Sequence, residues 1–246
     1  MARLSVNINK IATLRNSRGG DQPSVIDAAR VCLEATATGL TVHPRADQRH
    51  IRPTDVRELA EMLAPYRPRV ELNIEGDPRP DLLALVHEVR PHQCTLVPVR
   101  PGETTSEAGW PPDTPVDALR AQVAALKQDG IRVAMFIDPT PDAVRWAANL
   151  GADRVELYTE PYARTFATTG ADLQGCLARY AAASTLAAEL GLGVNAGHDL
   201  DLENLPDFVQ AMPRLDEVSI GHAIITYALY VGLRQAVLEY LEAVQV

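Results

Sequence analysis

Residues 39 to 50 read GLTVHPRADQRH, and they set a pattern that the rest of the chain repeats. A short apolar run of the kind found in strands ends at Val42, and two histidines, two arginines and an aspartate follow in one connection. Such a connection lies at the surface, because a buried loop would leave backbone polar groups unpaired. Imidazole moves protons near neutral pH, and guanidinium groups match phosphate or carboxylate oxygens. Taken alone, the stretch fits a solvated loop of ordinary ion pairs equally well.

The same change from apolar run to polar connection recurs along the whole chain, and segments with helical periodicity separate the runs. The predicted strands are Leu4–Ile8, the run 39–42, Val70–Ile74, Gln93–Val97, Val133–Ile137, Arg154–Leu157, Leu192–Asn195 and Glu217–Ile220. The predicted helices are Ser24–Ala37, Thr54–Leu63, Asp81–Val89, one ending at Asp129, Pro141–Leu150, Asp172–Leu190, Leu205–Ala211 and a closing helix Ala223–Ala243. Irregular structure is expected over residues 9–20, 98–115 and 159–170.

Eight strand–helix units of roughly thirty residues, with no linker between them, predict one α/β domain over residues 1–246, a (β/α)8 TIM barrel. Length alone also fits two small domains. A doubly wound open sheet is the alternative topology, although no glycine-rich dinucleotide fingerprint follows the first strand.

Composition excludes several classes of partner. The chain of 246 residues has a net charge of −9, which argues against binding nucleic acid or an anionic membrane surface. Cys32, Cys94 and Cys176 are too few and too scattered for a disulfide framework or a metal knuckle. No apolar run approaches the length of a membrane span, so we expect a cytoplasmic protein.

In a barrel, function lies at the carboxyl ends of the strands, so the residues just past each predicted strand are informative. Polar and titratable groups stand at these positions: Asn7, Asn9, Lys10, His43, Arg45, Glu75, Asp138, Glu156, Asn195, Gly197, His198, Gly221 and His222. We therefore expect them to collect on one rim.

Each candidate also has a simpler explanation. Glu75 precedes Gly76 and could be a turn carboxylate. Glu156 alternates with Val155 and Leu157, so it is confined inside the barrel or against a helix, and a carboxylate there needs a partner or a function. His87 and His92 are expected to be structural.

Two histidines follow glycines at predicted strand ends, in Gly197-His198 and Gly221-His222. A glycine lets a backbone N–H approach an oxyanion closely, and phosphate sites in this fold often form after strands seven and eight. The two pairs therefore indicate a phosphate site.

Four motifs in order now carry a resemblance that covers nearly the whole chain. They are VNINKIATLRN at residues 6–16, TVHPR at 41–45 with RHI at 49–51, NAGH at 195–198 and IGHAII at 220–225. Together they resemble the pyridoxine 5'-phosphate synthase family. The resemblance implies a (β/α)8 barrel with a few extra helices, in cytosolic homo-oligomers that are commonly octamers and need no redox cofactor.

The resemblance also implies the reaction and its residues. The substrates would be 1-deoxy-D-xylulose 5-phosphate and 3-amino-2-oxopropyl phosphate, which are joined into the pyridine ring with release of phosphate and water. His43 and Glu75 would accept protons, His198 would donate one, and Glu156 would stabilise charge. The amino-ketone phosphate would be held by Asn7, Arg18, Gly197, Gly221 and His222. The ketose phosphate would be held by Arg45, His50 and Thr105, with Asn9 and Lys10 beside them.

This chain departs from the family at two places. Asn9-Lys10 stands where better-known members have Asp-His, and we expect Lys10 to contact the ketose phosphate directly. The approach to strand three is longer, so matching Glu75 rather than Glu71 to the family's base rests on the run Asn73-Ile74-Glu75.

Several expectations remain from the residues themselves. Ring closure needs several proton transfers, so several acid–base groups are expected, with one of Glu75 and Glu156 a base and the other kept anionic. The stretch 98–109, with its Gly and Thr residues, is expected to be a lid over a phosphate.

Two other functions stay open. One is a hydrolase with His43, His198 and His222 as metal ligands, although no metal site is expected, and the other is a phosphate-binding barrel without catalysis.

Overall fold

A computed structural model describes residues 1–99 and 106–245, and its strands close into a parallel barrel in the order in which they occur along the chain. The strands are β1 Arg3–Asn7, β2 Gly39–Val42, β3 Glu71–Gly76, β4 Gln93–Leu96, β5 Arg132–Ile137, β6 Arg154–Tyr158, β7 Gly193–Gly197 and β8 Glu217–Ile220. Pairing of β1 with β8, with Leu4 opposite Val218, closes the barrel. The barrel prediction is confirmed, and the open-sheet alternative was wrong.

The helices surround the barrel, as the sequence predicts for parallel strands. They are α1 Asn9–Asn16, α2 Val25–Glu34, α3 Pro53–Leu63, α4 Pro80–Val89, α5 Val116–Gln128, α6 Pro141–Leu150, α7 Glu160–Ala167, α8 Leu173–Glu189, α9 Leu205–Ala211, α10 His222–Val231 and α11 Leu233–Ala243, with a 3-10 turn at Ala64–Tyr66. Among the described residues, no helix is long and apolar enough to span a membrane.

Alternation along each strand separates two environments. Leu4 and Val6 of β1 belong to the apolar core between the strands and the helices. Polar side chains at the alternate positions meet inside the barrel, where Thr95 on β4 donates to Glu156 on β6 at 3.4 Å. Because β4 and β6 are not neighbours in the sheet, this contact crosses the barrel interior.

The stretch that we expected to be a polar loop after β1 forms α1 instead. No side chain caps the start of α1, so the sequence carries a weak local signal for it. The helix is held by tertiary contacts: Arg15 donates to both oxygens of Asp55, at 2.6 and 2.9 Å, and to the carbonyl of His50 at 3.2 Å. Both side chains of this ion pair are more than 90% buried. It ties α1 to α3 and to the connection after β2.

Two further expectations were wrong in detail. The segment expected to be irregular after β6 contains α7, which packs through the buried Tyr162, whose hydroxyl donates to the carbonyl of Asn204 at 2.7 Å. The single closing helix is two helices, because Gly232 adopts φ +86° between α10 and α11. That left-handed conformation suits glycine and interrupts a right-handed helix.

Candidate active site

The parallel strands all end at the same rim, and most of the predicted site residues lie there. His43, Arg45, His50, Glu75, Glu156 and Gly197 are buried, Asn7, Asn9, Lys10, His198 and Gly221 are half-buried, and Arg18 and His222 are exposed. Arg18 follows α1, and among the described residues its side chain has no hydrogen-bond or ion-pair partner. Thr105 and residues 100–104 of the expected lid lie outside the described residues.

His43 and Glu75 stand side by side at the ends of β2 and β3. Their nearest atoms, Nδ1 of His43 and Oε2 of Glu75, are 4.0 Å apart. Glu75 also accepts hydrogen bonds from Asn7 at 3.4 Å and from Ser219 at 3.5 Å. Glu71, in contrast, is at the amino end of β3, where it is ion-paired with Arg3 at 2.7 Å. Only Glu75 of these two carboxyl groups faces the histidine.

His43 is kept neutral by its surroundings. Burial lowers the pKa of its imidazole well below the usual value, and the positive charges of His50, Arg45, Arg79 and His198 lower it further. Within residues 1–99 and 106–245, no group forms a hydrogen bond with the buried Nε2. A neutral imidazole with an unused nitrogen in a buried site can take a proton from a bound molecule.

The carboxyl groups of Glu75 and Glu156 are shifted in the opposite direction. Burial raises the pKa of Glu75 well above the usual value, and the charges of Glu156 and Glu217 raise it further. Burial and Glu217 raise the pKa of Glu156 to about 8, although the hydroxyl of Thr95 opposes this shift. Burial thus shifts both carboxyl groups toward the protonated form, and the assignment of one as a base and the other as an anion remains a prediction.

Glu217 is a third interior carboxyl group that the sequence reasoning did not single out. Burial raises its pKa, while the nearby Arg154 lowers it. Asn195 donates to its Oε1 at 3.3 Å. The alternation along β8 could have identified Glu217. It stands two residues before Ser219, which also points into the barrel and contacts Glu75.

Gly197 makes room for the carboxyl group of Glu156. A Cβ atom at residue 197 would lie 2.9 Å from Oε1 of Glu156 and 2.9 Å from the carbonyl oxygen of Ser219. The second contact is with backbone, which cannot move aside easily. Close packing against Glu156 therefore requires glycine here, whatever its backbone N–H binds.

His198 sits on a strained connection after β7. His198 and Asp199 have φ +85° and +55°, a region that non-glycine residues rarely occupy and that is enriched at functional sites. Thr159 donates its hydroxyl to the carbonyls of Gly197, at 2.7 Å, and of His198. The imidazole lies 5.4 Å from the ring of Tyr158, so its position is fixed by packing as well as by backbone.

Cationic and polar groups gather beside the His43–Glu75 pair. His50 accepts the N–H of Ile51 on Nδ1 at 3.0 Å, so its neutral ring carries the proton on Nε2. Burial and the charges of Lys10, Arg45 and Arg49 lower the pKa of His50 to about 4. Arg45 is buried here as well. This side of the rim therefore offers two kinds of donor to an anion: fixed cations and a neutral N–H.

Asn9 forms hydrogen bonds with the backbone just after β2 and with the side chain of Asn7. Its side-chain oxygen accepts the N–H of His43 at 2.8 Å, and its own N–H donates to the side chain of Asn7 at 3.1 Å. The Asn9 oxygen is thus engaged with β2 rather than facing open space.

The amino end of α10 forms the other side of the rim. Gly221 precedes the helix, and a Cβ there would lie 3.0 Å from the side chain of Asn7. His222 is the first residue of the helix. Backbone N–H groups at a helix start favour anions, so this side can also bind a phosphate.

A metal centre was the other chemistry considered for the histidines. Within the part of the chain that the structure describes, no three His, Cys, Asp or Glu side chains are grouped as metal ligands. The geometry brings His43 to the carboxyl group of Glu75, and His198 to the carboxyl group of Asp199, 3.7 Å away, and to the ring of Tyr158.

Comparison with solved structures finds similar barrels at low sequence identity. A tryptophan synthase from M. tuberculosis aligns with a TM-score of 0.65 at 14% identity, covering 100% of this chain and 93% of that one. A thiamine phosphate pyrophosphorylase from Pyrococcus furiosus aligns with a TM-score of 0.62 at 13% identity, covering 99% and 95%. These similarities concern the fold alone.

Sequence comparison is more specific. The family model described as "Pyridoxal phosphate biosynthesis protein PdxJ" matches residues 4–246. The pyridoxine 5'-phosphate synthase of Bacteroides thetaiotaomicron is 48% identical over 240 residues, 98% of either chain. That of Xanthomonas oryzae pv. oryzae is 49% identical over 247 residues, covering 98% of this chain and 95% of its own. The chain therefore belongs to the PdxJ family, the family of the pyridoxine 5'-phosphate synthases.

Proposed function

We propose that the rim site joins 1-deoxy-D-xylulose 5-phosphate to 3-amino-2-oxopropyl phosphate and closes the pyridine ring of pyridoxine 5'-phosphate, releasing phosphate and water. The observation that carries this proposal is the buried pair of His43 and Glu75 at one rim, with Nδ1 and Oε2 4.0 Å apart, where burial lowers the pKa of the histidine and raises that of the carboxyl group. Family membership supports the same reaction.

The reaction explains why the site needs several titratable groups. An amine must add to a ketone, water must leave, the carbon skeleton must enolise, and the ring must close, with protons moving at different atoms. One side chain cannot reach all of these atoms, so positioned groups share the transfers. In the proposed assignment His43 and Glu75 accept protons, His198 donates one, and Glu156 stabilises positive charge.

The raised carboxyl pKa values fit a cationic intermediate. Condensation of an amine with a ketone forms an imine, which is positively charged when protonated. A cation forming beside Glu156 favours its anionic state and so opposes the effect of burial. We propose that Glu156 ionises as this charge develops and releases its proton to solvent, and that Glu75 accepts its substrate proton from the ionised form.

The two sides of the rim are proposed to hold the two phosphates. Arg45, His50 and Lys10, with Asn9 beside them and with Thr105, would take the ketose phosphate. Asn7, Gly221, His222, Gly197 and Arg18 would take the amino-ketone phosphate. Local cations and N–H groups allow an acidic protein to bind two anions. The proposed reaction includes no cofactor or metal, and we propose a cytoplasmic location for the enzyme.

We also propose that the chain forms a homo-oligomer, an octamer as the family resemblance implies. Leu229 and Tyr230 at the end of α10 are 69% and 84% exposed, and Leu14 on the adjoining α1 is exposed as well. Exposed large apolar side chains grouped in this way are typical of a protein interface. A second copy of the chain is the proposed partner.

Sedimentation velocity tests the oligomer. The wild-type protein should sediment as an assembly, and the double variant Leu229→Ser/Tyr230→Ser should shift toward smaller species because its interface loses apolar area. Tyr66→Ser, at an exposed tyrosine of the 3-10 turn, is the control and should sediment as wild type. A wild-type monomer would refute the proposal.

Replacing the acid–base groups tests the assignment of the site. His43→Asn, Glu75→Gln and His198→Asn should each lower kcat by roughly 10²–10⁴, the range for a positioned proton-transfer group. Product formation from both substrates can be followed by mass spectrometry, with folding checked by circular dichroism. His87→Asn is the control, because His87 lies on α4 and contacts Asp129 instead. Near-normal kcat in all three folded variants would overturn the assignment.

Lys10→Ala tests which phosphate the lysine side of the rim binds. A hydrogen bond to a charged group contributes roughly 1.5–3 kcal/mol, so affinity for the ketose phosphate should fall about tenfold to a hundredfold. Affinity for the amino-ketone phosphate should hardly change. Calorimetry with each substrate separately measures both, and Lys127→Ala, on the distant α5, is the matched control. Unchanged ketose affinity, or an equal loss for both substrates, would show that Lys10 has no such role.

A further inference from the structure

Arg79 is a mostly buried arginine that neither the motifs nor the strand ends pointed to. It lies in the connection after β3, where it precedes the first residue of α4. Its side chain is 15% exposed. An arginine so enclosed on the rim has its position fixed by its partners.

The guanidinium group of Arg79 uses three nitrogens on three partners. Nη1 donates to Asp77 at 2.6 Å and Nε to Asp81 at 3.0 Å, both within its own connection. Nη2 donates to the carbonyl oxygen of Pro44, which belongs to the connection after β2. Two contacts thus orient the guanidinium, and the third reaches across to the neighbouring loop.

Pro44 is the residue between His43 and Arg45. Its ring fixes one backbone dihedral and leaves its carbonyl as its one backbone hydrogen-bonding group. A donor held rigidly on that carbonyl therefore restricts the peptide plane between Pro44 and Arg45, one residue after His43. The loop with Arg79 begins just after Glu75, so this single contact links the two loops that carry the pair.

We propose that Arg79 is a positioning residue for the reaction, which holds His43 against Glu75 by fixing the carbonyl of Pro44. The inference rests on the proposed function for its link to turnover. The effect of Arg79 on the imidazole of His43 can be measured without substrate.

The charge of Arg79 gives a second, separable effect. The groups that face His43 are Glu75, His50, Arg45, Arg79 and His198. The arginines stay protonated at any working pH, so each favours the neutral imidazole. Removing one positive charge must raise the pKa of His43, and the acidic limb of the kcat/KM profile then moves to higher pH, because the base must be neutral to act.

Two substitutions separate geometry from charge. Arg79→Lys keeps the charge but cannot make three directed contacts, so kcat should fall about tenfold while the acidic limb stays at the wild-type pH. Arg79→Gln loses both the charge and the directed contacts. Its kcat should fall similarly, and the acidic limb of its profile should move up by roughly half a pH unit. KM for either substrate should change little, since Arg79 is not proposed to touch substrate. Arg120→Gln, at an exposed arginine of α5, is the control for charge loss elsewhere.

Nitrogen NMR of the imidazoles in the ligand-free protein, with the His43 signal assigned from His43→Asn, reports directly on that ring. Its titration should move to higher pH in Arg79→Gln and remain in place in Arg79→Lys. If both variants keep wild-type kcat, profile and imidazole titration while Glu75→Gln is inactive, Arg79 is an ordinary loop contact and the inference fails. If the wild-type protein forms no pyridoxine 5'-phosphate from the two substrates, the proposed function fails, and a shifted His43 titration in Arg79→Gln would still support the effect on His43.

Discussion

The interior of this barrel buries carboxyl groups next to one another, and the rest of the site depends on how they avoid repulsion. Glu75, Glu156 and Glu217 project inside the strands with polar neighbours but no ion pair among the described residues that would neutralise Glu75 or Glu156. An isolated carboxylate in a low-dielectric interior costs several kcal/mol, so a buried carboxyl group takes up a proton instead. Burial raises the pKa of all three groups; Glu156 and Glu217 raise that of Glu75 further, Glu217 raises that of Glu156, and Glu71 raises that of Glu217.

Burial shifts the pKa of His43 in the opposite direction. It lowers the pKa of the imidazole, so histidine and carboxyl group are both driven toward their neutral forms. Nδ1 of His43 and Oε2 of Glu75 are 4.0 Å apart, beyond hydrogen-bonding distance, whereas the charged Arg15–Asp55 pair closes to 2.6 Å. A neutral pair leaves His43 able to accept a proton, and Arg79 holds the loop that carries it. The fold thus prepares the protonation states before any substrate arrives.

Local sequence pattern was enough for the barrel. Apolar strand runs and helical segments alternate visibly, and the ends of the observed strands lie within two residues of the predicted ones. Barrel topology then placed His43, Glu75, Glu156 and His198 near one rim. The helix α1 was missed because it depends on the buried Arg15–Asp55 pair, and these two residues are forty positions apart. Arg79 was missed for the same reason, since its contact with Pro44 spans thirty-five positions. No local sequence pattern predicts contacts between residues so far apart in the chain.

Infrared spectroscopy of the ligand-free protein tests the protonation of the interior carboxyl groups most directly. Protonated carboxylic acids have a carbonyl band distinct from that of carboxylates, so their number can be followed with pH. The account predicts such a band at pH 7, partly lost in Glu75→Gln and in Glu156→Gln, and fading in the wild-type protein as pH is raised through about 8. A spectrum at pH 7 without protonated carboxyl groups, or with a band that neither substitution changes, would contradict it.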